Sequence, residues 1–144
     1  MAHVCDAAVV LCEDFRLHQR THERNVLAAF VQELGCDCDV ITRGGAIQDL
    51  VRPQPGFDQS LLRDLAVSVN LHKVKTIYLV NHENCGAYAH FNFTSRKLEI
   101  MQHYKDLQRA KEIVAQHFHG VKVEIRFAEL DAGSGDKYKF KAVG

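Results

Sequence analysis

The sequence predicts an α/β fold in three layers: a four-stranded parallel sheet core, helices on both faces, and a C-terminal antiparallel edge strand. Three observations predict it. Short, continuous apolar runs alternate along the chain with segments whose apolar residues recur at helical spacing. The early runs are apolar throughout, as strands covered on both faces are. The last two strand-like segments instead alternate apolar with charged residues, the period of a strand with one face in water.

The elements follow in order. Ala7-Ala8-Val9-Val10-Leu11 is the first strand. Val26, Leu27, Phe30, Val31 and Leu34 recur at helical spacing, and Gly35 stands where a C-cap glycine belongs. Asp39 to Thr42 reads as a second strand, followed by a loop through Gly44-Gly45, Pro53, Pro55 and Gly56. Asp58 is expected to cap a helix carrying Leu61, Leu62, Leu65, Ala66 and Val69. Thr76-Ile77-Tyr78-Leu79-Val80 is the third strand, and Cys85-Gly86-Ala87-Tyr88 opens a helical piece. A long helix is expected over Ser95 to Phe118, with Leu98, Met101, Leu107, Val114 and Phe118 on one stripe and Gly120 ending it. Val121, Val123, Ile125 and Phe127 then alternate with Lys122, Glu124 and Arg126. After an expected turn over Asp131 to Asp136, Tyr138 and Phe140 alternate with lysines, suiting a lysine-guarded antiparallel edge. Strands separated by helices imply right-handed parallel crossovers.

Composition narrows the function classes. The 144 residues are 47% hydrophobic and 25% charged, which suits a globular chain, and residues 1–144 are expected to form a single domain. Eighteen basic residues balance eighteen acidic ones, without the basic excess of a nucleic-acid binder. No apolar run approaches a membrane span, and the N-terminus lacks the pattern of a signal peptide. Five cysteines, an odd number, do not suggest a secreted disulfide framework, so a cytoplasmic location with reduced thiols is expected.

Ligands of such a sheet bind beyond the carboxyl ends of its strands, near the topological switch point. Three polar clusters fall there: Cys12-Glu13-Asp14-Phe15-Arg16, Thr42-Arg43-Gly44-Gly45, and Asn81-His82-Glu83-Asn84-Cys85-Gly86. Cys12, His82 and Cys85 form a candidate zinc set, since catalytic zinc takes three protein ligands and keeps one position open. Against this stands a plain reading of Cys12 as a core thiol and His82 as a loop residue; the shared rim favours the metal. Asp14 and Arg16, two apart in a segment expected to be extended, can form a bidentate pair that keeps the carboxylate ionised.

Other groupings are weaker. Cys36-x-Cys38 suits packing, a redox pair or metal. His18 and His22 share an i, i+4 spacing read as a solvated helix face, and His117-x-His119 suits a helix C-terminus. The dinucleotide pattern G-x-G-x-x-G and the phosphate loop G-x-x-x-x-G-K-[ST] are absent. The C-x5-R spacing of a small phosphatase fails because position 18 is His.

Cys12-x-Asp14-x-Arg16 followed about seventy residues later by His82-x-x-Cys85-Gly86 resembles the β-class carbonic anhydrases, over roughly Val9 to Gly133. The resemblance implies Zn2+ held by Cys12, His82 and Cys85, and an Asp14–Arg16 dyad orienting a zinc hydroxide that attacks carbon dioxide to give bicarbonate. Gly44, Gly45 and Gly86 are candidate substrate-binding positions through their backbone amides. A resting state with Asp14 on the metal and Arg16 unpaired is the alternative. The resemblance also implies a homodimer or higher homo-oligomer, with a small-molecule substrate and neither nucleic acid nor membrane as partner. The loop reads Arg43-Gly44-Gly45-Ala46 where the family usually has R-N-A-G, and no counterpart of the family's usual N-terminal helices is expected ahead of the first strand. Hydrolysis of another small electrophile such as carbon disulfide, or a non-catalytic zinc-binding role, are the competing readings.

Overall fold

The computed structural model describes residues 3–131 and 137–144. Five strands form one sheet in the order β2-β1-β3-β4-β5: β1 (Ala7–Leu11), β2 (Cys38–Thr42), β3 (Thr76–His82), β4 (Lys122–Leu130) and β5 (Tyr138–Ala142). The first four are parallel and β5 runs antiparallel to β4, as expected. Every residue of β1 is buried, because it lies between β2 and β3 and is covered on both faces. The expected turn after Asp131 lies largely outside the described residues.

Side-chain alternation divides the core into two layers. Val9, Leu11 and Val80 face α1 (Val26–Leu34), meeting Leu27 and Phe30. Ala8, Val10, Ile77, Leu79, Val123, Ile125 and Phe127 face the other way, toward α2 (Gln48–Val51), α3 (Phe57–Asn70) and α4 (Arg96–His117). The chain leaves β1 toward β2 over one face and returns to β3 over the other. Right-handed crossovers require this change of face when the direction of travel reverses. The switch point therefore lies at the carboxyl ends of β1 and β3.

Helix ends follow local chemistry. The Asn25 side chain accepts from the Ala28 amide at 2.9 Å, and Gly35 closes α1 with φ 71°. Ser95 caps α4 through the Leu98 amide at 3.2 Å. Asp58, expected as a cap, sits inside the first turn of α3; Gly56 precedes that helix with φ 86°. There Asp58 acts on the helix dipole instead of on a free amide. The stretch after β2, read as loop, folds one helical turn as α2.

The stripe expected on α4 is half right. Leu107, Val114 and Phe118 are buried, but Leu98 and Met101 are 48% and 55% exposed. Their angular positions at 100° per residue place them on the far side of the helix from Leu107. The buried face is completed by His103, Asp106 and Ala110. Residues 18–25, read as carrying a helix face through His18 and His22, form bends without a helix. Among the described residues, no helix is long and apolar enough to cross a membrane.

Candidate metal centre

Cys12 is the first residue beyond β1 and His82 the last residue of β3. Cys85 follows three residues later, capping a short 3-10 turn, Gly86–Phe91. Because β1 and β3 pair in parallel, their ends coincide, and the turn brings Cys85 back beside them. The two sulfurs and one ring nitrogen lie within 4.8 Å of one another, all three residues buried. The residues expected to hold a metal are therefore brought to one point.

His82 is oriented from behind. Its Nδ1 donates to the Glu83 carbonyl at 2.9 Å, since a carbonyl can only accept, and Tyr138 O–H donates to the same carbonyl at 2.9 Å. The Tyr138 ring stands edge-on to the imidazole at 5.5 Å. With the proton on Nδ1, Nε2 carries a lone pair, and this buried atom has no hydrogen-bond partner. An orphaned buried nitrogen is costly unless something occupies its lone pair. A bare nitrogen beside two thiols is the donor set that zinc prefers, so the residues fit that group.

The sulfurs are prepared as well. The Cys85 thiol donates to Cys12, and this bond, with the Gly45 amide, outweighs burial and holds Cys12 well below the ordinary thiol range. The reciprocal effect, reinforced by burial, pushes Cys85 far up despite amides from Ala87 and Tyr88.

Asp14 and Arg16 do not form their pair in an extended segment. Asp14 caps a 3-10 turn, Phe15–Leu17, its Oδ1 accepting from the Arg16 amide at 2.9 Å. The turn folds Arg16 back, so Nε meets Oδ1 at 3.0 Å and Nη2 meets Oδ2 at 2.7 Å. The cap and the ion pair reinforce each other. Arg16 hydrogen bonding holds the Asp14 carboxyl below its ordinary value against the opposing effect of burial. Arg16 Nη2 also donates to the Asn84 carbonyl at 3.0 Å, fastening the dyad to the loop between His82 and Cys85. Asp14 Oδ2 stands 3.9 Å from His82 Nε2, at the edge of the donor set.

Asn84 was not singled out from the sequence. It holds φ 59°, a conformation asparagine tolerates, and its amide donates to Glu99 Oε2 at 2.5 Å. Glu83 turns inward, taking Arg96 at 2.7 Å and the Leu130 amide at 2.9 Å. Gly45, with φ 78°, lies so close to the next loop that an added Cβ would stand 2.9 Å from Ala87 Cβ. Gly44 faces Glu13 Oε1, 3.3 Å from where its Cβ would be, whereas the space around Gly86 is open. His18 Nε2 lies 2.8 Å from the Cys12 carbonyl, so this histidine braces the backbone of that candidate ligand.

Known proteins share the family and the fold of this chain. Residues 2–133 match the family described as "Putative carbonic anhydrase". An uncharacterized protein of Rickettsia bellii is 27% identical over 130 residues, covering 85% of this chain and 76% of its own length. Among solved structures, the tetrameric β-carbonic anhydrases of the fungus Sordaria macrospora superpose with a TM-score of 0.61 at 17% identity, covering 99% of this chain and 82% of theirs. The apo form of a carbon disulfide hydrolase superposes with a TM-score of 0.55 at 15% identity, covering 95% and 79%. Identities this low establish a shared fold alone, while the family match spans nearly the whole sequence: the chain belongs to the carbonic anhydrase family.

Proposed function

We propose that the chain is a zinc lyase that reversibly hydrates carbon dioxide to bicarbonate, with Cys12, His82 and Cys85 as ligands and Asp14 and Arg16 as the catalytic pair. The observation that carries this reading is the unpartnered Nε2 of buried His82 facing two sulfurs, with an Arg-held carboxylate at its margin. Zinc bound there supplies a water acidified toward neutral pH.

The chain's own residues divide the remaining work. Asp14, kept ionised by Arg16, accepts a hydrogen bond from the attacking water and turns its lone pair toward the substrate carbon. Arg16 occupies both carboxylate oxygens, which keeps Asp14 from serving as a fourth ligand. That is the open arrangement of the two resting states. The Gly45 amide is directed at the Cys12 sulfur, so it acts on a ligand; Gly44 and Gly86 are the positions whose amides serve the substrate oxygen. Carbon dioxide is small and uncharged, so backbone amides suffice and no cationic side chain is needed. Exposed His22 and His90 are candidates to pass the released proton to buffer.

Stopped-flow hydration by zinc-loaded protein, beside Cys85→Ser, tests the reading. Fast hydration lost in the variant supports it; no hydration at pH ~7 or ~9 with zinc bound overturns it. The likeness to a carbon disulfide hydrolase favours one second reading, a carbon–sulfur hydrolase on the same scaffold. Sulfide release from carbon disulfide, measured on the same sample, separates the two. We also assign a homo-oligomeric state, supported by the tetrameric neighbour of the same fold; a monomer at micromolar concentration in ultracentrifugation would exclude it.

A further inference from the structure

Two loops distant in sequence meet beside the two sulfurs. The loop after β2 runs alongside Cys12, the Arg43 amide donating to the Leu11 carbonyl at 3.1 Å and the Glu13 amide to the Arg43 carbonyl at 3.3 Å. The turn after β3 closes on Cys85, whose carbonyl accepts from the Tyr88 amide at 2.9 Å. The loops meet where Gly45 lacks a side chain, and one residue fastens them. Gln48, at the start of α2, donates from Nε2 to the Ala87 carbonyl at 2.9 Å, and the same Nε2 is 3.0 Å from the Cβ position of Gly45.

Gln48 is itself held. Its Oε1 accepts from Arg52 Nη2 at 3.0 Å, one helical turn on. Arg52 grips Asp106 of α4 through Nη1 at 3.0 Å and Nη2 at 2.5 Å, and lies over the Phe91 ring at 4.7 Å. Asp106 accepts from Tyr88 O–H at 2.6 Å and from Gln102 at 3.0 Å. The circuit Ala87–Gln48–Arg52–Asp106–Tyr88 closes on the loop it began from, and its two ends lie in the turn that begins at Cys85. Gln48 is half-exposed and adds nothing to the apolar core, so this linkage is not a by-product of packing.

We propose that Gln48, locked by Arg52 and Asp106, is a positioning residue of the metal centre. It holds the loop beside Cys12 against the turn that begins at Cys85 and thereby sets how the two sulfurs meet a metal. The inference rests on the Cys12–His82–Cys85 reading above. Groups behind the ligands tune metal affinity by about 10–100-fold.

The test uses the full chain loaded with Co2+, whose thiolate-to-metal charge-transfer absorption reports sulfur donation directly. Gln48→Glu keeps an acceptor for Arg52 and loses the donor to Ala87; Gln48→Ala loses both. In each, the charge-transfer band is expected to shift, and Co2+ affinity, read by competition with a chromophoric chelator, to weaken about 10–100-fold. Exposed Arg109→Ala should change neither. An unshifted band overturns the proposal, even if the melting temperature falls, because a purely structural glutamine would lower stability alone. Should both Gln48 variants fail to fold, Arg52→Lys decides, because an ammonium cannot hold Asp106 and Gln48 in the same fork; a wild-type band there overturns the proposal. A wild-type protein without any thiolate band overturns the metal-site reading and this inference together.

Discussion

Two histidines are sealed inside this protein, and their partners give them opposite characters. His82 is 1% exposed and His103 is 0% exposed. His82 spends its Nδ1 proton on a backbone carbonyl, so its Nε2 presents a lone pair to the sulfurs. His103 Nδ1 lies 3.0 Å from the Asn81 side-chain amide, which donates to it as well as to Tyr88 Oη at 2.9 Å. Its proton is therefore on Nε2, which faces Glu99 Oε2 at 3.5 Å. The rings belong to neighbouring parts of one core. What separates a candidate ligand from a structural residue is whether Nδ1 meets an acceptor or a donor.

Variants at the two rings should sharpen that contrast most. His82→Gln removes the only imidazole of the donor set; zinc measured by elemental analysis should fall from about one per chain to background, and hydration with it. His103→Gln should keep its zinc. Full zinc content in His82→Gln would erase the distinction. Next in size is Asp14→Asn, which keeps the metal but cannot hold the attacking water; kcat/KM should drop by about 10²–10⁴. Full activity of this variant at every pH would remove Asp14 from the mechanism.

A third measurement uses acid. Burial pushes His103 down from 6.5 to about 4. The unfolded chain thus binds a proton in that window that the folded chain refuses. Stability contributed by the neutral ring is complete above pH 6.5 and is lost as pH falls toward 4, at about 1.4 kcal/mol per pH unit. Urea titrations at several pH values should show this slope in the wild type and a shallower one in His103→Gln; parallel slopes would refute it. The smallest effect belongs to Tyr138→Phe. It removes one of two donors to the Glu83 carbonyl and should cost about 1 kcal/mol in urea while His82 keeps its tautomer and the protein its zinc.

The parts legible in the sequence were those with sharp chemical signatures. Strands buried on both faces need unbroken apolar runs, so Ala7–Leu11 and the run starting at Thr76 could be read directly. Cys12, His82 and Cys85 stood out because such residue types at strand ends converge on one rim. The dyad could be read, but its geometry could not: whether Asp14 leads into a strand-like exit or caps a turn depends on where Leu17 is buried. The α4 stripe misled because hydropathy places Leu98 and Met101 inside and His103 and Asp106 outside. The fold reverses both assignments by supplying partners to the polar pair. Gln48 and Arg52 carried no signal, since their meaning depends on Ala87 and Asp106, far along the chain.

The donor set straddles the central seam of the sheet, with Cys12 on the β1 side and His82 and Cys85 on the β3 side. That placement has a consequence in time. A ribosome adds about 5–20 residues per second, so Cys12 emerges several seconds before the about seventy residues that separate it from its partners are complete. Throughout that interval it has neither of its partners. Only when the third strand is laid beside the first does it find the company that defines it. Nascent chains stalled so that residue 85 is still inside the ribosome, or already clear of it, should therefore differ in how fast a thiol reagent labels position 12.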